Sequence, residues 1–416
     1  MAQKIQLRRG THAARTSVVL DVGEPAYTTD TKQVFVGDGV TAGGVPLGGT
    51  LTAYNESFVS VIPSSGDTPT DNATGFHSAL VNAWTKTPYG SSLSPTNRYA
   101  VHLYPGFYDF SSIIGVSTLL PMNQSRYVDI VGIGSREDIV VKASDDLVYF
   151  SFQSGGCNVE NITFKNILLF YKGVAPEKVS DVIVRDVNIY YGAGLPGIYF
   201  AQGATNNFLI DNCNISGGIY SSAGGGVNMT NSVIKNSRFL NSSAGSLQAF
   251  IGDVNYNNLF ENCYFSSESQ ASIGHFYVDL DVQGLHETNV FKDCYFSGEY
   301  SFLDAAGATA HRATFENCHF QSDIYGAFQG SMSNCVIDAG NINRHAIEIS
   351  QYSNTNTYPA FYNCKILAHN DQPAVTGVGA STGLFLNCQS NRPIATGVTG
   401  GNIAPVNYTI VSPRIK

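Results

Sequence analysis

From about residue 160 onward, apolar and polar positions recur in a short unit that has neither the roughly 3.6-residue beat of a helix nor the plain alternation of one long strand. Its clearest copies are Phe260-Glu-Asn-Cys-Tyr-Phe265, Phe291-Lys-Asp-Cys-Tyr-Phe296 and Phe315-Glu-Asn-Cys-His-Phe320. Phe260 and Cys263 are an odd number of positions apart, so a straight strand cannot turn both inward. A bend must fall between them. After it, Cys263 and Phe265 alternate inward while Tyr264 faces out.

Looser copies extend the pattern to ten. Aligned, one column reads Asn166, Asp186, Asn212, Asn236, Asn262, Asp293, Asn317, Asn334, Asn363 and Asn387. Asn and Asp tolerate the left-handed backbone of a sharp corner better than other side chains with a Cβ. The next column is Ile167, Val187, Cys213, Ser237, Cys263, Cys294, Cys318, Cys335, Cys364 and Cys388, at spacings of 17 to 31 residues. Such a ragged period belongs to a solenoid; a propeller blade needs about 40–45 residues. The expected fold is all-β, each copy a strand, an Asn corner and a second strand, stacked at about 4.8 Å per turn.

Composition agrees with a rigid β-rich protein: 13% charged residues, 42 Gly, 24 Phe and 23 Tyr beside one Trp. The net charge of −9 speaks against nucleic acid or an anionic membrane as partner. No basic-then-apolar leader opens the sequence and no apolar run approaches the ~18 residues of a membrane span. Seven of the eight Cys lie in the inward column, which predicts packed thiols and no disulfides. No spacing suggests a metal site, and no cofactor is expected.

The repeat resembles the single-stranded parallel right-handed β-helix of pectate lyases, polygalacturonases and phage tailspikes. Within that resemblance, Asp71-Asn-Ala-Thr-Gly-Phe-His-Ser-Ala-Leu-Val-Asn-Ala-Trp84 is an amphipathic capping helix (residues 71–85) with Ala73, Phe76 and Leu80 on its inner face and an Asp71/Asn72 cap. Regular rungs are expected over about residues 98–412, within a β-helix spanning 71–416. The polygalacturonase motifs are only echoed, in Asp145-Asp146, Gly274-His275-Phe276 and Arg414-Ile415-Lys416.

Residues 1–48 form a separate small β-module, with 49–70 as linker and lead-in strand. So short a module builds too little core alone, and oligomerisation is a natural remedy. Its motifs are Arg8-Arg9-Gly10-Thr11, Gly23-Glu24-Pro25-Ala26-Tyr27-Thr28-Thr29-Asp30-Thr31, Gly37-Asp38-Gly39-Val40-Thr41 and Pro46-Leu47. They resemble the N-terminal module of phage tail fibres and of the major tropism determinant, a trimeric receptor-binding protein whose module is a β-prism. That resemblance implies a homotrimeric tail fibre or tailspike in the virion tail, assembled in the host cytoplasm. Its implied partners are tail or baseplate proteins, held through residues 1–48, and a host cell-surface glycan.

One outward row offers candidate chemistry. In Gly274-His-Phe-Tyr-Val-Asp-Leu-Asp-Val282, alternation puts His275, Tyr277, Asp279 and Asp281 on the exposed side. Those four are the candidate ligand-binding residues, and Asp279 and Asp281 the candidate catalytic carboxylates, since glycan cleavage uses carboxylate pairs. The enzyme reading, a polysaccharide depolymerase acting as glycosidase or lyase, stays open beside receptor binding. So does a capsid decoration or structural fibre without a receptor site.

Overall fold

The computed structural model describes residues 8–31, 34–46, 57–113, 119–122, 127–144, 148–153, 156–172, 179–190, 197–201, 205–216, 219–221, 228–241, 250–251, 254–267, 289–302, 313–326, 330–338, 346–349, 360–368, 374–377 and 384–392. The chain divides into two compact units, residues 1–57 with 87–92, and residues 58–86 with 93–416.

The larger unit is a parallel β-helix. Successive coils contribute in-register parallel strands to a first sheet running from Phe58–Val61 to Leu384–Leu386, a second from Gly106–Asp109 to Gln389–Ser390, and a third from Leu119–Met122 to Phe250–Ile251. Identical inward positions stack coil upon coil. In the first sheet Phe260, Phe291 and Phe315 lie face to face with centroids 4.4 and 4.8 Å apart. In the second, Phe239, Phe265, Phe296 and Phe320 stack at 5.0, 4.9 and 4.6 Å. The two columns meet edge to face, Phe291 on Phe296 at 6.0 Å and Phe315 on Phe320 at 5.4 Å, the geometry ring quadrupoles favour.

Between the columns runs the corner. Asp186, Asn212, Asn236, Asn262, Asp293, Asn317, Asn334, Asn363 and Asn387 all have φ between 51° and 55°. Amide side chains along the column donate to the coil before: Asn212 Nδ2 to Asp186 Oδ1 at 2.6 Å, Asn262 to Asn236 at 2.9 Å, Asn317 to Asp293 at 3.1 Å, while Asn236 Nδ2 donates to Asp211 Oδ1 at 3.0 Å. A carboxylate has no proton to pass on, so the chain of donors restarts at Asp186 and Asp293.

Strand register corrects the first member of this column. Glu160 lies beside Arg185 and Thr163 beside Asn188, which puts Asn161 at the corner in place of Asn166. Asn161 Nδ2 donates to the Gly132 carbonyl, 3.0 Å away. Asn166, with φ 56°, turns a separate corner five residues later. The reason is degeneracy: Asn161-Ile-Thr-Phe164 satisfies the pattern as well as Asn166-Ile-Leu-Leu169. A further left-handed column, Asp181, Asn207, Asn231 and Asn257, precedes the main one by five residues. It too is bonded, Asn207 Nδ2 to Asp181 Oδ1 at 3.1 Å.

The Cys column lies just inside the corner. All eight cysteines are unpaired thiols, and each column thiol donates to a backbone carbonyl of the preceding coil, Cys263 to Ile234 at 3.4 Å and Cys294 to Phe260 at 3.5 Å. Burial pushes the Cys213 thiol up to about 12. The seven buried thiols are small core side chains with a weak donor, and Cys388 is partly exposed.

The helix at Pro69–Ala83 buries Ala73, Phe76, Ala79, Leu80 and Ala83. Phe76 packs on Phe110 and Phe150, 5.8 and 6.1 Å away. The cap is Thr68, not Asp71 or Asn72: Thr68 Oγ1 accepts from the Asp71 N–H at 3.2 Å, and the Asp71 carboxylate accepts from the Thr68 N–H at 2.9 Å. Thr68-Pro-Thr-Asp71 is thus a reciprocal capping box with proline at the first helical position. Replacing Thr68 by alanine should lower stability by about 1 kcal/mol, measured as a shift of the urea midpoint at unchanged slope.

The smaller unit has a four-stranded sheet, Arg8–Gly10 parallel to Pro25–Thr28, then Val34–Val36 and Val45–Pro46 antiparallel. Its described core is small, with Leu20, Ala26, Phe35 and Thr28 buried. Arg15 lies over the Phe35 ring, 3.4 Å from its centre. Gly37 is required by close approach, because a Cβ there would meet the Asp21 carbonyl at 2.0 Å. In the following turn Asp38 Oδ1 accepts from the Val40 and Thr41 N–H groups at 3.1 and 2.7 Å.

The hydrogen bond from the Thr41 hydroxyl, with these two backbone bonds, holds the Asp38 carboxyl at about 2 against an ordinary 3.8. A depressed carboxyl favours the folded turn above its ordinary value, and that preference disappears as pH falls through about 2. Protection of the Thr41 amide, its exchange rate relative to an unstructured amide at the same pH, should therefore be present at pH 5 and decline as the pH approaches 2, and Asp38→Ala should remove it at both.

Candidate functional site

His275, Tyr277, Asp279 and Asp281 lie outside the described residues, between the strands Tyr264–Ser267 and Val290–Lys292. The described outward faces carry two other constellations.

On the first sheet, one outward position per coil reads Glu160, Arg185, Asp211, Lys235, Glu261, Lys292, Glu316, with the sign alternating at every step. Neighbours pair: Arg185 with Glu160 at 3.4 Å, Lys235 with Asp211 at 3.5 Å, Lys292 with Glu261 at 3.7 Å. Such cross-strand pairs contribute a few tenths of a kcal/mol each and penalise a slipped register. Along this row every carboxylate neighbours a cation, and successive carboxylates are two coils apart. Burial raises the Glu160 carboxyl, with Arg185 opposing.

On the second sheet, the residue just after the Cys column faces outward. In register it reads Arg238, Tyr264, Tyr295, His319, Val336, Lys365. The Arg238 guanidinium lies 5.1 Å from the Tyr264 ring centre. Tyr264 stacks on Tyr295 at 5.2 Å with planes 6° apart, and His319 meets Tyr295 at 4.9 Å, inclined by 61°. The Tyr295 hydroxyl donates to Gln321 Oε1. Partial burial, the Tyr264 phenol and Asp338 all push that hydroxyl up, so it stays a donor.

Ring faces here are used within the stack. What the strip offers outward is phenol hydroxyls, an imidazole edge, a guanidinium and an amide, all hydrogen-bonding groups suited to a hydroxyl-rich ligand. Neither Arg238 nor Lys365 has a carboxylate partner among the described residues. The signal in the sequence was the variable column after Cys. Tyr264 is recognisable there as outward, but only strand register turns Arg, Tyr, Tyr and His into one stack.

Among the described residues there is no cluster of three or more His, Cys, Asp or Glu able to hold a metal ion. No helix among them is long and apolar enough to cross a membrane.

Residues 5–41 match the model of the major tropism determinant N-terminal domain, and residues 147–311 match that of the right-handed beta helix region. No curated protein matches the sequence. Among solved structures, ORF18 of Geobacillus virus E2 is similar at 14% identity over 96% of this chain and 73% of that one, with a TM-score of 0.42. The catalytic domain of a GH87 alpha-1,3-glucanase has 13% identity over 83% and 68%, TM-score 0.43. The A-module of the Azotobacter vinelandii mannuronan C-5 epimerase AlgE6 has 12% identity over 86% and 98%, TM-score 0.44. The larger unit is a right-handed parallel β-helix, and the smaller one is similar, over residues 5–41, to the N-terminal domain of the major tropism determinant.

Proposed function

We propose, from the match of residues 5–41 to the N-terminal domain of the major tropism determinant, that the chain is a phage virion protein: a homotrimeric tail fibre or tailspike that recognises a host cell-surface glycan. Residues 1–48 attach it to the tail, and the β-helix presents the receptor-binding surface. That match is the observation that carries the reading. Support from the larger unit is chemical: a rigid rod whose second sheet presents hydroxyl, amide and imidazole groups in register suits a repeating polysaccharide.

Immunogold labelling of intact phage particles tests the assignment, with label at the tail expected. Label confined to the head would favour a capsid decoration, and particles without label would overturn the reading. Incubation with host surface polysaccharide is expected to give binding without shortened oligosaccharides; their appearance would make the protein a depolymerase. Replacing both Arg238 and Tyr264 by alanine should weaken polysaccharide binding about tenfold, roughly 1.4 kcal/mol, in a titration that leaves the circular dichroism spectrum unchanged.

A further inference from the structure

A second outward row of the first sheet has no role in the reading above. It consists of Ile183, Leu209, Val233, Leu259 and Val290, neighbours in register on five consecutive coils. All five are partly exposed, and each lies between two buried residues, such as Val182 and Val184, or Phe208 and Ile210. Outward positions of a solvated sheet are ordinarily polar. One exposed aliphatic side chain means little, but five at adjacent register positions make an apolar line. At about 4.8 Å per coil the line is roughly 19 Å long and runs along the stacking direction.

Both edges of the line are polar. Two residues after it come Arg185, Asp211, Lys235, Glu261 and Lys292, and two residues before it the corner residues Asp181, Asn207, Asn231 and Asn257. An apolar centre between polar rims is the anatomy of a protein interface.

We infer that this line is the lateral contact between β-helices, and that its occupant is the same line of a second copy of the chain. The inference rests on the homotrimer reading and specifies the face used. Two observations select a copy over another partner. The five residues are neighbours in register on consecutive coils, so the line repeats with the rise of the β-helix and a parallel copy meets it with the same rise along its length. Around an axis parallel to the stack, equal residues meet at equal height, and aliphatic side chains gain from such layers where like charges would lose. The flanking charges alternate in sign and pair within their own row, Arg185 with Glu160, Lys235 with Asp211 and Lys292 with Glu261, so each is offset by its own neighbour and the rim presents no single sign of charge for an oppositely charged partner.

The test uses the full chain. Val233→Cys, treated with a short bismaleimide, should give a covalent dimer band that wild type and Ser297→Cys on the second sheet do not give; Leu259→Cys serves if the first variant fails to fold. Replacing both Leu209 and Val233 by lysine should weaken association at least tenfold in sedimentation equilibrium, with unchanged β-sheet circular dichroism. A trimer that cross-links at neither cysteine, or that the two lysines leave equally tight, overturns the line as the contact and leaves the homotrimer standing. A wild-type chain that sediments as a monomer overturns both.

Discussion

Replacing Phe291 by alanine should lower the unfolding free energy by about 4 kcal/mol, in the range found for large aromatic side chains removed from packed cores. Phe291 is completely buried. It is the middle ring of a column, 4.4 Å from Phe260 and 4.8 Å from Phe315, and its edge meets Phe296 at 6.0 Å. Collapse cannot fill the gap easily, because the neighbouring rings are held by strands in fixed register on either side. Phe291→Leu, which retains most of the volume, should cost less than half as much. Urea denaturation at fixed protein concentration checks both.

The second large effect is expected where the first sheet begins. Arg98 makes two hydrogen bonds to the Asp129 carboxylate and a third to the Gly156 carbonyl at 2.9 Å. Asp129 also accepts from the Asn158 N–H at 2.9 Å, and the side chains of Arg98 and Asp129 are only 23% and 14% exposed. Asp129→Ala leaves a largely desolvated guanidinium and a backbone N–H without their acceptor, at a cost of about 3 kcal/mol. Removing both charges, as Arg98→Met with Asp129→Leu, should cost less than Asp129→Ala alone, because no buried charge is then left uncompensated and only the Asn158 N–H lacks its acceptor. A double variant less stable than the single one would refute this account of the pair.

The architecture was legible because its controlling feature is local. An inward Phe and an inward Cys three positions apart force a bend, and the bend selects Asn or Asp, so Asn262, Asp293 and Asn317 announce coils before any long-range contact is known. Register was less legible. Asn161 and Asn166 each begin an acceptable copy, and only the pairing of Glu160 with Arg185 decides between them. The helix start was hidden for a similar reason: Asp71 and Asn72 adjoin the apolar face and look like caps, while Thr68 lies one proline further out. The outward columns were least legible. Arg238, Tyr264, Tyr295 and His319 span three residue types, so their identity as one strip, like the alternation from Glu160 to Glu316, exists only once coils are stacked.

The most direct test of the virion-fibre account is competition for adsorption. Purified full-length protein is predicted to bind saturably to host cells and to block adsorption of the phage that carries it, and host polysaccharide added in solution should relieve the block. Undiminished adsorption in the presence of saturating protein, or no binding to cells that the phage adsorbs to, would contradict it.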